Sequence, residues 1–106
     1  MGADHFQVVT TTGTAEEAES LATSIVAGHL GACVHIVPIT SVYRWEGAIT
    51  KDPEWRLVVK TTADRVTALI EHIQRNHSYD LPQVVAVEIA QGSPEYLDWV
   101  TAETRG

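Results

Sequence analysis

The feature that most restricts the fold is a long run of β-branched and aromatic residues in the first half of the chain. Residues 32–45 read A-C-V-H-I-V-P-I-T-S-V-Y-R-W, a composition that favours an extended strand. Pro38 has no amide hydrogen to donate, so it predicts an edge position or a bulge. Glu46 and Gly47 end the run and predict a turn. The run is therefore expected to be the first strand of a long hairpin.

The returning strand shows an alternating pattern. Residues 54–61 place Trp55, Leu57 and Val59 on one face, and Glu54, Arg56 and Lys60 on the other. Asp52 and Pro53 just before them predict a second turn region. The tip of the hairpin is expected to carry Tyr43, Trp45, Gly47 and Lys51.

Helical patterns lie on either side of this hairpin. Thr14 and Glu17 have the spacing of a capping box, and the apolar stripe behind them predicts a first helix, with Gly31 as its left-handed terminator. Thr62 is a predicted cap for a second helix that buries residues 66, 69, 70 and 73 and ends at Asn76. Ser93 and Pro94 predict the start of a short third helix.

Two further strands complete the order of elements. Residues 5–12 have a β-rich composition, and residues 84–90 are apolar at nearly every position, which predicts a central strand. The order β-α-β-β-α-β plus a terminal helix predicts an α+β, ferredoxin-like single domain over residues 1–106. Two helices cover only one face of such a sheet. Self-association, as a trimer, is expected to cover the other face and the projecting hairpin.

The charge and the cysteine content exclude several partners. The net charge is −7, which disfavours nucleic acid and anionic membranes. No apolar run approaches the roughly 20 residues that span a bilayer. The single cysteine, Cys33, cannot form an internal disulfide, and the N-terminus lacks the pattern of a signal peptide. The sequence therefore predicts a cytoplasmic location.

Five short motifs, taken together, resemble the CutA family of divalent-cation-tolerance proteins. They are L-G-A-C at 30–33, S-V-Y-R-W-E-G at 41–47, L-V-V-K-T-T at 57–62, N-H-S-Y-D-L-P at 76–82 and Y-L-D-W at 96–99. The resemblance implies a ferredoxin-like homotrimer with intertwined hairpins that binds Cu²⁺ and other divalent cations and has a role in metal tolerance. The architecture is also similar to the trimeric PII signalling proteins, which bind small effectors between subunits.

The chain departs from the family pattern in two places. The usual His-Pro-Tyr is His77-Ser78-Tyr79 here, so the loop loses a fixed φ and gains a backbone donor. Some relatives have more cysteines and use them as copper ligands, and this chain has only Cys33 to match them.

The candidate metal ligands fall into two groups. Cys33 and His35 are two apart on a strand and share a face, an arrangement suited to copper or zinc; the alternative is a buried thiol and a hydrogen-bonded imidazole. His77 lies beside Tyr79 and Asp80, and imidazole with carboxylate suits Cu²⁺. His77 is equally able to bond the last carbonyls of the second helix. The heptad 76–82 is interpreted mainly as the joint between that helix and the next strand.

The remaining candidates concern subunit contacts and a small ligand. Tyr43, Trp45 and Trp55 are expected to be interface or packing residues. Lys60 either extends its charged end to water or pairs with a carboxylate such as Glu54. A more specific alternative is that Lys60, Tyr43, Tyr79 and Glu54 line a cleft between subunits for a small anion. No catalytic motif is present, so no enzymatic activity is predicted. The alternatives to metal binding are a PII-like effector sensor and a trimeric interaction platform with incidental metal binding.

Overall fold

The computed structural model describes residues 2–106 and contains four strands and three α-helices. The strands are β1 (His5–Thr12), β2 (Cys33–Trp45), β3 (Ala48–Thr62) and β4 (Val84–Glu88). The helices are α1 (Ala15–Ala27), α2 (Val66–Arg75) and α3 (Pro94–Glu103), and a 3₁₀ turn at Ala63–Arg65 precedes α2. The sheet order is β2-β3-β1-β4 with every pair antiparallel, which confirms the ferredoxin-like α+β prediction.

The core lies between the sheet and the first two helices. Val8, Leu57 and Val59 point from the central strands toward α1 and α2, where Ile25 and Leu69 are their fully buried partners. Strand alternation places the intervening residues, such as Val9 and Val58, on the opposite face. The helical stripes predicted from the sequence are therefore the stripes that face the sheet.

The first helix begins as predicted and ends differently. The Thr14 side chain accepts a hydrogen bond from the Glu17 amide at 3.1 Å, as expected of an N-cap. At the other end His29, with φ of 57°, is the left-handed residue, and the Leu30 amide donates to the Ile25 carbonyl at 3.0 Å. The prediction of Gly31 as terminator is wrong. A Cβ at Gly31 would lie 2.4 Å from Val59 Cγ1, so this glycine permits close packing instead.

The hairpin is longer and more regular than predicted. Glu46 and Gly47, both with positive φ, form the two-residue turn between Trp45 and Ala48. The predicted turn at Asp52 and Pro53 is absent, because both residues pair with β2 inside β3. Pro53 is tolerated because the pairing of β1 with β3 stops at Thr12 and Trp55, so β3 has a free edge beyond that point. Residues 39–54 pair only with each other, and we call them the arm.

The strand β4 lies at an edge of the sheet, which corrects its predicted central place. Its apolar residues are not buried on both faces: Val85 is 46% exposed and Val87 is 50% exposed. The apolar run misled the prediction because such a run is typical of strands covered on both sides. Strand β2 forms the other edge, as Pro38 indicated.

The third helix covers one end of the face that α1 and α2 leave open. His5 and Thr62, which pair across β1 and β3, lie on that face and contact α3. The His5 Nε2 lies 2.9 Å from the Thr101 hydroxyl, and the hydroxyls of Thr62 and Thr104 are 3.3 Å apart. The prediction of Thr62 as the cap of α2 is wrong, because the 3₁₀ turn lies between them and Arg65 takes the N-cap position. The Thr62 hydroxyl donates instead to Asp64 Oδ1 at 2.6 Å.

Candidate functional site

The loop after α2 is held in place by its own polar side chains. Asn76 ends the helix, and its side-chain amide donates to the His72 carbonyl at 2.8 Å. His77 therefore does not bond the helix end, as one interpretation of the sequence suggested. It turns instead toward β1.

The His77 side chain is completely buried and both of its ring nitrogens are engaged. Its Nε2 lies 2.6 Å from the Thr11 carbonyl, which only accepts, so this nitrogen donates. Its Nδ1 lies 3.0 Å from the Tyr79 amide, which only donates, so this nitrogen accepts. The two contacts define one neutral tautomer. His77 can bind a metal in this loop only by giving up one of these bonds.

Ser78 uses the backbone donor that a proline at this position would lack. Its amide donates to Glu17 Oε2 and its hydroxyl donates to Glu17 Oε1, both at 2.9 Å. Glu17 also lies in the first turn of α1, where its charge is favourable to the helix dipole. The departure from His-Pro-Tyr is therefore matched by a specific pair of hydrogen bonds that tie the loop to α1.

Tyr79 joins the loop to the root of the arm. Its hydroxyl donates to Glu54 Oε2 at 2.9 Å. The hydroxyl also lies close to Gly13, where an added Cβ would be only 3.0 Å away. Burial and the hydrogen bond to Glu54 raise the pKa of Tyr79 well above its usual value. The phenol is therefore a proton donor throughout the neutral range.

Tyr43 is held in a comparable way further along the arm. Its hydroxyl donates to Asp52 Oδ2 at 2.6 Å across the two strands. This hydrogen bond raises the pKa of Tyr43, so its phenol also stays protonated at neutral pH.

An open cleft of about 610 Å³ lies between the loop and the arm. This volume is within the range of small-molecule sites. Tyr43, Glu54 and Tyr79, three of the four residues predicted for a ligand cleft, line it together with Asp80. The remaining lining residues are Thr11, Ser41, Val42, Trp45, Leu81 and Gln83.

Lys60 does not line this cleft within one subunit, and the expectation that it lines a cleft between subunits stays a prediction. It pairs with Cys33 and Gln7 in the sheet and lies six positions from Glu54 along β3. At about 3.3 Å per residue, the two residues are roughly 20 Å apart. The proposed Lys60–Glu54 ion pair is absent from the part of the chain that the structure describes.

The predicted metal ligands are separated into two places. Cys33 is partly buried and His35 is exposed, both on the open face of the edge strand β2. Tyr96 of α3 lies next to Cys33, and burial together with this contact raises the pKa of Tyr96. His77 and Asp80 lie in the loop beyond α2. Among residues 2–106 no group of three or more histidine, cysteine or carboxylate side chains is placed to hold a metal ion.

The three residues predicted for subunit contacts also differ in position. Tyr43 and Trp45 are on the arm, 41% and 47% exposed in the single subunit. Trp55 instead packs against the hydrophobic core where the arm leaves the sheet. The roles of Thr11 and Glu17 were not predicted, because their contacts to His77 and Ser78 join residues more than 60 positions apart.

The fold and the cleft together define a class: a small ferredoxin-like domain with a projecting arm and an acidic, aromatic cleft at its root. Comparison with known families identifies the family within this class. The CutA1 divalent ion tolerance protein family matches residues 6–103. This chain belongs to the CutA1 family, and the family name refers to divalent ions rather than to a reaction.

Relatives from distant organisms share most of this domain. The chain is 47% identical over 91 residues to the chloroplastic protein CutA of Arabidopsis thaliana, with 85% of this chain and 50% of the relative covered. It is 43% identical over 98 residues to the divalent-cation tolerance protein CutA of Thermus thermophilus, with coverage of 92% and 95%. The chain therefore spans half the length of the Arabidopsis protein and nearly all of the Thermus protein.

A solved structure of a relative confirms the fold. The CutA of Archaeoglobus fulgidus, described as a periplasmic divalent cation tolerance protein, superposes with a TM-score of 0.93 at 34% identity. The superposition covers 95% of this chain and 99% of the relative.

These comparisons contradict the predicted cytoplasmic location. The Arabidopsis relative is chloroplastic and the Archaeoglobus relative is described as periplasmic. The composition of the domain therefore does not determine its compartment. None of the helices described in residues 2–106 is long and apolar enough to cross a membrane.

Proposed function

We propose that this chain is a homotrimeric protein that binds divalent cations, Cu²⁺ in preference, and acts in the response to metal ions without catalysing a reaction. The observation that carries the proposal is the match of residues 6–103 to the divalent ion tolerance family. The net charge of −7 supports it, because an acidic surface attracts cations.

The trimer is supported by apolar surface that one subunit leaves uncovered. On the arm, Val42 is 65% exposed and Ile49 is 72% exposed. On the open face of β4, Val85 and Val87 are each about half exposed. Patches of this kind usually mark interfaces, and two edge strands with free edges favour the same outcome.

Among residues 2–106 of one subunit, the candidate ligands form no group larger than a pair. Cys33 and His35 share a face of β2, and the exposed His35 imidazole is available. His77 is fully engaged, and Asp80 is exposed on the cleft without a histidine or cysteine partner there. A site with more ligands therefore requires side chains from a second subunit, which is why the proposal joins metal binding to the trimer.

Titration with Cu²⁺ tests this assignment. His35→Ala is expected to weaken Cu²⁺ binding, whereas His77→Ala is expected to lower thermal stability and keep the affinity. The control is His29→Asn, which removes an imidazole elsewhere and suits the positive φ at that position. Unchanged Cu²⁺ affinity in His35→Ala would remove the pair at β2 from the proposal.

The cleft favours a second candidate function, a PII-like sensor of a small effector. Its specific support is that Tyr43, Glu54 and Tyr79 line one cavity of suitable size. A thermal-shift screen with small charged metabolites tests it. Ligands that stabilise the wild type and lose that effect in Trp45→Leu would support a sensor.

A further inference from the structure

The third helix lies outside the hydrophobic core. Within residues 2–106 the core cluster is formed by the sheet, α1 and α2, and it contains no residue of α3. Val100 is the buried residue of α3, whereas its large aromatic side chains, Tyr96 and Trp99, are exposed. Segments with few buried apolar contacts open locally at a lower free energy than the core. The packing of α3 therefore favours undocking that leaves the rest of the chain folded.

Polar groups of other elements hold the C-terminal end of α3. The Arg65 Nε donates to the Thr104 carbonyl at 2.8 Å. The His29 Nδ1 lies 3.0 Å from the Glu103 carbonyl, which only accepts, so this nitrogen donates. The sequence of the last turn, V-T-A-E, contains no basic residue. The last carbonyls of α3 are therefore satisfied by donors that the helix loses when it leaves the sheet.

Arg105, directly after α3, joins the helix to the 3₁₀ turn. Its Nη1 donates to Asp64 Oδ2 at 2.7 Å, and its Nη2 donates to Asp64 Oδ1 at 3.1 Å. Both side chains are exposed, so water and salt compete with the pair. The contact is therefore specific in geometry but weak enough to open without unfolding the sheet.

Cys33 lies beside the N-terminal half of α3. The Tyr96 side chain is next to the thiol, and Cys33 is partly buried. His5 holds this half of the helix on the sheet, since its Nε2 lies 3.0 Å from the Leu97 carbonyl. Departure of α3 removes Tyr96 from Cys33 and uncovers the thiol. The accessibility of Cys33 therefore reports whether α3 is docked.

We propose that α3 is a lid on Cys33, which undocks as one unit while the sheet, α1 and α2 stay folded. The docked arrangement is the one in the structure, and the undocked one is a minor state in equilibrium with it. The lid controls how fast reagents and metal ions reach the thiol. Its control of metal ions rests on the proposed function, in which Cys33 is a ligand, whereas the undocking itself does not.

The rate at which iodoacetamide alkylates Cys33, followed by mass spectrometry on the full chain, tests the proposal. Cys33 is the only cysteine, so each chain gains one group. Val100→Ala removes two buried methyl groups from the contact of α3 and should speed alkylation about tenfold. Arg105→Ala removes the pair with Asp64 and should speed it by less than about fivefold. The control is Arg75→Ala, at an exposed position on α2, which should react like the wild type.

A variant of the core separates undocking from global unfolding. Ile73→Val shortens a fully buried side chain of α2 and lowers global stability, but it should leave the alkylation rate unchanged. Hydrogen exchange gives the same distinction, because Ile73→Val should speed exchange at the amides of residues 69–75 and leave residues 97–103 as in the wild type. Arg105→Ala changes an exposed side chain, so it keeps the test valid if Val100→Ala fails to fold.

Three results would overturn the proposal. The first is an alkylation rate that is unchanged in both Val100→Ala and Arg105→Ala. The second is a rate that rises in Ile73→Val as it does in Val100→Ala, because the thiol would then be reached only through global unfolding. The third is a faster rate that accompanies a lower molar mass, because separation of subunits would then expose Cys33. Cu²⁺ titration of His35→Ala reports separately on the metal proposal.

Discussion

The part of the sheet outside the arm, which we call the base, shows the same alternation of side chains as the arm, but the two differ in what covers them. In the base, Leu57 and Val59 are fully buried beneath α1 and α2. In the arm, Val42 and Ile49 are mostly exposed, because neither helices nor other strands of this subunit reach them. An isolated two-stranded hairpin is marginal in water. Under the proposed trimer, the base folds on its own contacts, whereas the arm depends on other copies.

Truncating a core residue should have the largest effect. Leu57→Ala removes a side chain with no exposed surface and is expected to lower the free energy of unfolding by about 2–5 kcal/mol. Denaturant unfolding measures this. The arm counterpart is Ile49→Ala, whose cost should arise from assembly and therefore vary with protein concentration. Equal costs at both positions, independent of concentration, would break the comparison.

A methyl group at Gly31 tests how tightly the base is packed. Its Cβ would lie 2.4 Å from Val59 Cγ1 and 3.1 Å from Ile25 Cγ2. Overpacking of this kind typically costs about 1–3 kcal/mol, so Gly31→Ala should lower the melting temperature clearly. The control is Gly2→Ala, where no atom lies within 4 Å of the added Cβ. Equal melting temperatures for the two variants would show that Val59 moves away without cost.

The bonds of Ser78 test how firmly the loop is joined to the base. Ser78→Ala removes one bond to Glu17, and Ser78→Pro removes both. Each bond is expected to contribute about 0.5–1.5 kcal/mol to the free energy of unfolding. We expect values near the lower limit, because Ser78 is exposed. Unfolding measurements on Glu17→Ala and on the double variant Glu17→Ala with Ser78→Ala give the check. A full further loss from Ser78→Ala in the Glu17→Ala background would contradict the contact.

The smallest expected effect is a pH dependence at the end of α3. Hydrogen bonds from Arg105 and Thr62 lower the pKa of Asp64 from 3.8 to about 2. Because the folded pKa is depressed, this stabilisation is present above pH 3.8 and is lost as the pH falls toward 2. The pair is well exposed, so it should be worth less than about 1 kcal/mol. The free energy of unfolding of Asp64→Asn, measured between pH 2 and 5, should lack the pH dependence that Asp64 causes. A pH profile identical to that of the wild type would show that Asp64 does not contribute.

Local secondary structure was more predictable than the site, for a physical reason. The Thr14 cap, the apolar stripe of α2 and the turn at Gly47 are set by residues a few positions apart, and all three are in place. The pairing of Lys60 with Glu54 is absent within residues 2–106, whereas the place of Lys60 in a cleft between subunits stays a prediction. The edge position of β4 was missed because an apolar run looks the same whether helices or other subunits cover it.

The site depends on contacts that local patterns do not contain. The burial of His77 against Thr11 and the bond from Tyr79 to Glu54 join distant parts of the chain. The sequence placed imidazole, phenol and carboxylate side chains near each other in the heptad 76–82. Of the cleft residues, Tyr79 was predicted from this heptad, and Tyr43 and Glu54 were predicted from the hairpin. It did not show that both nitrogens of His77 would be occupied. It also did not show that the charged side chains lining the cleft would be acidic.

The dependence of the arm on other copies is tested most directly by the molar mass of the folded protein at low concentration. Sedimentation equilibrium of the wild type should give three times the chain mass of 11.6 kDa. Ile49→Asp, which places a charge on the exposed apolar part of the arm, should shift the mass toward a single chain and keep the circular dichroism of the base. A wild type that sediments as one folded chain, with the same stability as Ile49→Asp, would contradict the account.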